Sequence, residues 1–200
     1  MTNFDPILPV VVLDSAASAE MLGAALVAAG IRQAEVTLRT PAALDALRIL
    51  ARTPGLRVGA GTVLEEAQVD DAVDAGAVFV VSPGLDGSVL AAARRRGVSA
   101  VPGIATATEL MRARTLGVRT VKFFPAEPLG GPGAVKALAS VFPDVSFIAT
   151  GGIGPQRARE YLVLPSVIAI GGSWMVPQET IAAGDFAAVE RLCREALVPG

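Results

Sequence analysis

The feature that most constrains this chain is a regular alternation of short β-rich runs with helical stretches. Eight runs rich in Val, Ile and Phe recur about every 20 to 26 residues of the 200. Near-continuous apolar runs of this length are typical of strands that are buried on both faces of a sheet. The predicted strands are Pro9–Leu13, Gln33–Leu38, Arg57–Val63, Phe79–Pro83, Ser99–Ile104, Thr120–Pro125, Ser146–Gly151 and Val167–Gly172.

Stretches with helical periodicity separate these runs. They include Ala16–Ala29, Pro41–Arg52, Glu65–Ala75, Gly87–Arg96, Thr108–Leu116 and Phe186–Leu197. A glycine follows four of them, as expected for the residue that ends a helix in the left-handed conformation; these are Gly30, Gly76, Gly97 and Gly117. Thr106 and Glu109 have the spacing of a capping box, which predicts a helix start there.

Eight strand–helix units predict an α/β protein with a parallel sheet and right-handed crossovers. Eight is also the number of strands that closes a (β/α)8 TIM barrel, and 200 residues is near the lower end for that fold. An open doubly wound sheet is the alternative, but its glycine fingerprint is incomplete, since only Gly59-Ala60-Gly61 matches its start. We predict a single barrel domain over residues 1–200.

Composition excludes several classes of function. The net charge of −2 gives no electrostatic case for nucleic-acid binding. No apolar run is long enough for a membrane span and no signal-peptide pattern is visible, so we predict a cytoplasmic protein with no membrane contact. The chain has no histidine, which excludes His-based triads and most zinc sites. The single cysteine, Cys193, has no partner for an intrachain disulfide and is expected to be a buried thiol.

The second predicted strand carries an unusual polar face. Glu35, Thr37 and Arg39 alternate with Val36 and Leu38, so period-two alternation directs the polar set into the barrel and the apolar pair towards the helices. A carboxylate and a guanidinium are costly to bury unless they are paired. A buried Glu35–Arg39 ion pair without a function is therefore the structural alternative to a functional site.

The sixth predicted strand places Lys122 among Val, Phe and Pro side chains. The chain contains only two lysines against fifteen arginines, and a lysine that merely extends its ammonium to solvent could equally be an arginine. An amine in apolar surroundings can act as a neutral nucleophile and form an imine, which arginine cannot do. We therefore favour Schiff-base chemistry on Lys122, with Phe124 on the same strand face lining its pocket and Phe123 packing outwards.

Other candidate site residues lie at the carboxyl ends of strands, where (β/α)8 enzymes build their active sites. Thr150-Gly151-Gly152 and Gly171-Gly172-Ser173 end strands seven and eight, the usual place for a phosphate held by backbone N–H groups. Thr62 is a candidate hydroxyl donor to a substrate, or alternatively a helix cap. Pro83 is expected to shape the pocket wall, whereas Trp174 is expected to pack rather than bind.

Taken in order, these motifs resemble one enzyme family over nearly the whole chain. They are Glu35-Val36-Thr37-Leu38-Arg39-Thr40, Gly59-Ala60-Gly61-Thr62-Val63, Val101-Pro102-Gly103-Ile104, Lys122-Phe123-Phe124-Pro125-Ala126, Thr150-Gly151-Gly152-Ile153 and Gly171-Gly172-Ser173-Trp174. The chain resembles the class I 2-keto-3-deoxy-6-phosphogluconate (KDPG) aldolases, also known as 4-hydroxy-2-oxoglutarate (KHG) aldolases.

The resemblance implies a homotrimeric (β/α)8 lyase that needs no metal or other cofactor. Such an enzyme splits KDPG into pyruvate and glyceraldehyde 3-phosphate, and it also splits 4-hydroxy-2-oxoglutarate into pyruvate and glyoxylate. It implies that Lys122 forms the Schiff base and Glu35 is the general acid/base. It further implies that Arg39 and Thr62 bind the pyruvate-like end of the substrate, and that the phosphate is held by Gly151, Gly152, Gly171, Gly172 and Ser173. From their positions at the strand ends we add Phe124, Pro83 and Thr150 as candidate substrate-binding residues.

Three alternatives stay open at this point. The segment Ala105-Thr106-Ala107-Thr108 resembles the related 2-keto-3-deoxy-6-phosphogalactonate aldolases, so the preferred stereochemistry at C4 is undecided. A phosphosugar isomerase or epimerase would use carboxylate chemistry and tolerate Lys122→Arg. A non-catalytic barrel that binds a phosphorylated metabolite would need neither Lys122 nor Glu35. Family members also carry a longer N-terminal helix, so Met1–Asp5 is expected to supply only a fragment of the usual closure of the barrel bottom.

Overall fold

The computed structural model describes residues 4–197 and shows a sheet of parallel strands that is closed into a barrel. In this part of the chain the nine strands follow the order β5-β4-β3-β2-β1-β9-β8-β7-β6. Their bounds are Ile7–Val11 (β1), Gln33–Thr37 (β2), Arg57–Gly61 (β3), Phe79–Val81 (β4), Ser99–Val101 (β5), Gly103–Ile104 (β6), Thr120–Phe123 (β7), Ser146–Thr150 (β8) and Val167–Gly172 (β9).

The barrel closes at the fifth predicted strand, which the structure divides into two short strands. β5 and β6 are the two halves of the expected strand Ser99–Ile104, and only Pro102 separates them. β5 pairs with β4, whereas β6 pairs with β7, so the two ends of the sheet meet in a single stretch of chain. Proline has no N–H to donate, but the Pro102 carbonyl accepts a 2.9 Å hydrogen bond from the Lys122 N–H. The prediction of a (β/α)8 barrel is confirmed.

Helices alternate with the strands as expected. Their bounds are Ala19–Ala29 (α1), Ala43–Leu50 (α2), Glu66–Asp74 (α3), Gly87–Arg95 (α4), Ala107–Thr115 (α5), Gly131–Val141 (α6), Pro155–Leu162 (α7), Gln178–Ala182 (α8) and Phe186–Leu197 (α9). All four expected helix-ending glycines have positive φ, and the Thr106–Glu109 capping box is present. No helix within residues 4–197 is both long and apolar enough to cross a membrane.

Several predicted strands are one or two residues too long at their carboxyl ends. The predicted strand Arg57–Val63 ends at Gly61 because Thr62 has a φ of 57°, which is incompatible with extended backbone. Gln33–Leu38 ends at Thr37, where the Arg39 N–H turns back to the Thr37 carbonyl. The first strand also begins earlier than predicted, at Ile7.

Side chains alternate between the interior of the barrel and the layer under the helices. Val36, Val121 and Phe123 face outwards and pack in the apolar layers between the sheet and the helices. Leu8, Phe79, Val81, Val101, Ile148 and Ala169 fill the interior. Cys193 is fully buried in the outer layer, as expected, and burial raises its pKa to about 12.

The bottom of the barrel is closed by a single aromatic ring and a buried amide. The Phe4 ring packs edge-to-face on Phe79, with 5.1 Å between the ring centroids. The Gln33 amide donates to the carbonyls of Asp5 and Ile7 at 2.8 and 3.2 Å, which satisfies buried polar groups at this end. The short segment before β1 therefore contributes directly to the closure; residues 1–3 lie outside the described part of the chain.

Candidate active site

The strand ends at the top of the barrel bring most of the predicted site residues together. Glu35 lies in the middle of β2 and Thr37 ends it, Lys122 lies on β7, and Thr150 ends β8. All four side chains are buried, although polar side chains of this kind are rarely buried in the absence of a partner. Since the carboxyl ends of all parallel strands lie on the same rim, residues distant in sequence converge there.

A buried ion pair between Lys122 and Glu35 spans the barrel. The Lys122 Nζ atom lies 3.1 Å from Oε1 of Glu35, and the two side chains are only 6% and 1% exposed. β2 and β7 are not neighbouring strands, so this contact crosses the interior. Desolvation of two charges costs several kcal/mol, so such a pair is poorly explained by stability alone.

The expected alternative pairing of Glu35 with Arg39 is wrong. Arg39 lies beyond the end of β2, is exposed on the rim, and donates from Nε to Oγ1 of Thr62 at 3.1 Å. The period-two pattern fails here because the chain leaves the strand after Thr37. Leu38 does face outwards, and it packs on the apolar layer under the helices.

Gly61 at the end of β3 makes room for the Glu35 carboxylate. A Cβ atom added at Gly61 would lie 2.1 Å from Oε1 of Glu35, far closer than van der Waals contact allows. The sequence motif contained Gly61, but no role was assigned to it. Gly61 pairs with Thr37 rather than with Glu35 in the register of β2 and β3, so no pattern in the sequence marks its contact with the carboxylate.

Two buried polar atoms at the rim lack a hydrogen-bond partner within residues 4–197. They are Oε2 of Glu35 and Oγ1 of Thr150. An unsatisfied buried polar atom costs about 1–3 kcal/mol, so native structures rarely keep one without a functional reason. A Cβ atom at Gly171 would lie 2.4 Å from Oγ1 of Thr150, so this glycine leaves the hydroxyl its space. These atoms provide one acceptor and one hydroxyl for a polar ligand.

Phe124 lines the surroundings of the Lys122 amine, as predicted. The centroid of its ring lies 5.3 Å from Nζ, within the range of a cation–π contact. Phe123 packs outwards with the helices. One side of the amine therefore meets an aromatic ring and another meets a carboxylate.

The Thr62 backbone is strained. Its φ of 57° is the only positive value at a non-glycine residue within the described chain, and left-handed backbone is especially unfavourable for a β-branched side chain. The Oγ1 atom of Thr62 holds Nε of Arg39. This leaves the two terminal nitrogens of the guanidinium, which suit bidentate recognition of a carboxylate. Thr62 does not cap α3, whose N-cap residue is Glu65.

Tight backbone packing surrounds the rim near Lys122. Pro83 is half-buried, and a Cβ atom at Gly103, the residue paired with Lys122, would lie 2.1 Å from the Pro83 carbonyl oxygen. The Glu109 carboxylate accepts the N–H groups of Ala105 and Thr106, both at 2.8 Å. The Ala105 hydrogen bond is the main reason why the pKa of Glu109 is lowered. Close packing against Pro83 and hydrogen bonds to the Glu109 carboxylate therefore fix the position of β6 and of the loop that follows it.

The glycine segments expected to bind phosphate lie on the same rim. Gly151 and Gly152 have φ values of 108° and 78°, a backbone shape that other residues rarely adopt. Gly171 and Gly172 end β9, and Ser173 is exposed directly after them. Trp174 packs on both outer apolar layers, and a Cβ atom at Gly172 would overlap its ring at 1.7 Å. Packing is thus the observed role of Trp174.

The site combines an amine, a carboxylate that can move protons, and a rim suited to anions. Glu35 lies within hydrogen-bond distance of Lys122 and keeps a second oxygen for another partner. This arrangement fits nucleophilic catalysis, in which the carboxylate takes the proton of the amine and the amine attacks a carbonyl carbon. No group of three His, Cys, Asp or Glu side chains within residues 4–197 is arranged to hold a metal ion.

Comparison with known proteins gives consistent matches. The family model described as "Aldolase: KDPG and KHG aldolase" matches residues 2–192. The KHG/KDPG aldolase of Escherichia coli (strain K12) is 46% identical over 193 residues, which cover 96% of this chain and 91% of that protein.

Two solved structures are similar over nearly their whole length. The KDPG aldolase of Zymomonas mobilis ZM4 with 3-phosphoglycerate superimposes with a TM-score of 0.91 at 45% identity, covering 97% of this chain and 91% of that chain. The KDPG aldolase of Legionella pneumophila, with pyruvate captured as a covalent carbinolamine intermediate, gives a TM-score of 0.93 at 42% identity, covering 97% and 95%.

Proposed function

This chain belongs to the KDPG and KHG aldolase family, and from that membership we propose that it cleaves KDPG to pyruvate and glyceraldehyde 3-phosphate through a Schiff base on Lys122. The observation that carries the proposal is the buried ion pair between Lys122 and Glu35. It supplies a nucleophile and a proton acceptor at one point of the rim, and the adjoining glycine segments suit a phosphate.

The first stage joins the keto-acid to the enzyme. Glu35 takes a proton from the Lys122 ammonium along their 3.1 Å hydrogen bond, and the neutral amine attacks the C2 carbonyl carbon of the substrate. A proton moves from the attacking nitrogen to the former carbonyl oxygen to give a neutral carbinolamine. Glu35 then returns its proton to the carbinolamine hydroxyl, which leaves as water, so that an iminium ion joins C2 and Nζ and Glu35 is again a carboxylate.

The second stage breaks the carbon–carbon bond. The Glu35 carboxylate accepts the proton of the C4 hydroxyl, and the electron pair of the C3–C4 bond moves to the iminium, which gives an enamine and releases the aldehyde. Glu35 then returns its proton to C3 of the enamine. Water then adds to the resulting iminium, both of its protons end on the nitrogen as the C–N bond breaks, and pyruvate leaves. Lys122 thereby returns to the ammonium form paired with Glu35, so protons and electrons balance over the cycle.

The rim residues orient the substrate for these steps. We assign the substrate carboxylate to Arg39, whose Nε is held by Thr62, because a planar guanidinium binds a carboxylate through two parallel hydrogen bonds. Phe124, Pro83 and Thr150 line the keto-acid. At the far end, the phosphate is assigned to the backbone of Gly151, Gly152, Gly171 and Gly172 and to the hydroxyl of Ser173.

A second substrate follows from the same site. 4-Hydroxy-2-oxoglutarate carries the same 2-keto-4-hydroxy-acid unit, so Lys122 and Glu35 would cleave it to pyruvate and glyoxylate by the same steps. It has no phosphate, so only the keto-acid end of the site would recognise it. We propose KHG cleavage as an accompanying activity. A separate experiment, which compares cleavage of the two C4 epimers of the phosphorylated substrate, tests the alternative of a 2-keto-3-deoxy-6-phosphogalactonate aldolase.

The proposal is tested by release of pyruvate from KDPG in a lactate dehydrogenase-coupled assay with Lys122→Arg. This variant keeps the positive charge but cannot form an imine, so we expect turnover to fall to background. Lys136→Arg, at the exposed second lysine on α6, is the matched control and should retain full activity. Retained release of pyruvate in a folded Lys122→Arg protein would contradict the Schiff base on Lys122. A wild type that releases no pyruvate but interconverts a phosphosugar would favour an isomerase or epimerase, and a wild type that binds the ligand without any turnover would favour a binding protein.

We also propose that the protein assembles as a homotrimer. Val141 and Val163 are 68% and 75% exposed, and Met111 is 60% exposed, which leaves apolar side chains that an interface would cover. Sedimentation equilibrium should give three times the mass of the chain, and a stable monomer would contradict the assembly. The cytoplasmic location stays a prediction from the sequence.

A further inference from the structure

A carboxylate that the proposed reaction does not use lies on the loop after β7. Glu127 is five positions beyond Lys122 and accepts three hydrogen bonds from α7, one from the Tyr161 hydroxyl at 2.5 Å and two from Arg157, through Nε at 3.1 Å and Nη2 at 3.5 Å. Tyr161 is fully buried, and Glu127 is only 25% exposed. The loop that follows the candidate Schiff-base lysine is therefore attached to a helix on the next strand–helix unit.

The backbone of the same loop continues the pairing of β7 with β8 beyond the strand ends. The Ala126 N–H donates to the Thr150 carbonyl at 2.8 Å, and the Glu127 N–H donates to the Gly151 carbonyl at 3.0 Å. The loop thus holds the first residues of the glycine segment directly through main-chain hydrogen bonds.

There is no spare room between the loop and the glycines. A Cβ atom at Gly151 would lie 2.9 Å from Cα of Pro125, and one at Gly152 would lie 3.0 Å from Cβ of Glu127. The position of Gly151 and Gly152 therefore depends on where the loop lies, and a shift of Glu127 would move them.

The side chain of Glu127 connects to the other end of the glycine segment. α7 begins at Pro155, two residues after Ile153, and it carries both Arg157 and Tyr161. The Tyr161 hydroxyl is the main reason why the pKa of Glu127 is lowered, followed by Arg157, so Glu127 is an anion at neutral pH. Pairing with Arg157 offsets a negative charge close to a loop that is assigned to another anion.

We propose that Glu127 is a positioning residue for the phosphate end of the substrate. Its carboxylate accepts hydrogen bonds from Tyr161 and Arg157 of α7, and its backbone N–H donates to the Gly151 carbonyl. These contacts keep Gly151 and Gly152 at a fixed position relative to Lys122. This inference rests on the proposed function, because it assumes that Gly151 and Gly152 receive the phosphate. It assigns Glu127 no contact with the reacting atoms.

The test compares a phosphorylated substrate with one that lacks phosphate. Glu127→Gln removes the charge, and Tyr161→Phe removes one hydrogen bond while keeping the buried ring. We expect both to raise KM for KDPG, by roughly tenfold for Glu127→Gln because small displacements of a binding group are costly. The kcat for KDPG should stay within about twofold, since only uniform binding is lost. For 4-hydroxy-2-oxoglutarate, KM should stay within about twofold because no phosphate is bound.

Asp144→Asn is the matched control. Asp144 pairs with Arg114 and Arg119 at a partly exposed site before β8, so this change also replaces an ion-paired carboxylate by an amide, but at the opposite end of β8. It should leave both KM values unchanged. Equal rises of KM for both substrates in Glu127→Gln, or a fall of KM for KDPG through a released Arg157, would overturn the positioning role.

Trapping of pyruvate separates this inference from the proposed function. Pyruvate has no phosphate, so borohydride reduction in Glu127→Gln should label Lys122 as fully as in the wild type. A wild-type protein that forms no adduct would overturn the proposed reaction itself. A wild type that forms the adduct while both variants keep the wild-type KM for KDPG would overturn only the role of Glu127.

Discussion

The amine of Lys122 and the carboxylate of Glu35 meet at 3.1 Å inside the barrel, although 87 residues separate them along the chain. Both groups are almost completely buried, and the second oxygen of Glu35 has no partner in the described structure. A purely structural pair would be expected to satisfy both oxygens. The oxygen without a partner is the one through which we expect Glu35 to exchange a proton with a third group in the proposed aldol cleavage.

Replacement of the carboxylate should separate folding from catalysis. Glu35→Gln keeps an acceptor for Lys122 but cannot carry the proton, so we expect turnover of KDPG to fall about 10²–10⁴-fold. The free energy of unfolding should fall by about 1–3 kcal/mol, because the buried ammonium loses its negatively charged partner and keeps only a neutral acceptor. Coupled assays and urea titrations measure the two effects. Activity within tenfold of the wild type would exclude Glu35 as the base.

Gly61→Ala should disable the site although it replaces neither of the two reacting residues. The added methyl group would lie 2.1 Å from Oε1 of Glu35, so the carboxylate must move away from Lys122. We expect turnover to fall at least about tenfold, with a loss of roughly 1–3 kcal/mol in stability from overpacking. The control is Gly133→Ala on α6, where a Cβ atom meets nothing within 4 Å. An unaffected Gly61→Ala enzyme would show that the position of Glu35 is not critical.

Thr62→Gly should gain stability and lose substrate affinity together. Glycine relieves the strain of a φ of 57°, which is worth about 1 kcal/mol or more, but it removes the hydroxyl that holds Arg39. KM should therefore rise several-fold for both phosphorylated and unphosphorylated keto-acids. In Thr62→Ser, which keeps the hydroxyl, KM should stay close to the wild-type value. Equal KM values in the wild type, Thr62→Gly and Thr62→Ser would contradict the role of Thr62 in positioning Arg39.

The Glu109 capping box should make stability depend on pH in the acid range. The pKa of Glu109 in the folded protein is lowered from its ordinary value of 4.5, chiefly by the Ala105 N–H. Its contribution is therefore complete above the unfolded pKa and is lost as pH falls through the folded pKa. Glu109→Gln cannot titrate, so the wild type should lose more stability than this variant between pH 5 and strongly acidic pH, by roughly 1 kcal/mol. The assignment would be contradicted if the wild type and Glu109→Gln lost the same free energy of unfolding across that pH range.

The order of strands and helices was predictable because each element has a local signature. Buried strands read as short apolar runs, and glycines such as Gly30 and Gly117 mark helix ends by their positive φ. The exact strand ends were not predictable: Thr62 leaves the extended conformation at a point where its hydroxyl accepts a hydrogen bond from Arg39, a residue of the preceding strand–helix unit. The fifth predicted strand is divided at Pro102 because its two halves form the two ends of the sheet, where the barrel closes. Closure depends on the whole sheet, so the local sequence does not predict it.

The candidate residues were also recognisable, but their partners were not. Lys122 and Glu35 stood out as polar groups in apolar runs, and local alternation suggested that Glu35 pairs with Arg39. The observed pairing depends on which strands face each other across a closed sheet, and this is a long-range property. Glu127 gave no signal because its partners, Arg157 and Tyr161, lie on a helix about 30 residues later.

The most direct test of the account is reduction with borohydride in the presence of pyruvate, followed by mass mapping of the peptides. The chain has only two lysines, so Lys122 and exposed Lys136 are readily distinguished. We predict one reduced pyruvyl group per chain, on Lys122, and none in Lys122→Arg. A folded wild-type protein that cleaves KDPG but carries no adduct on Lys122 would contradict the central claim.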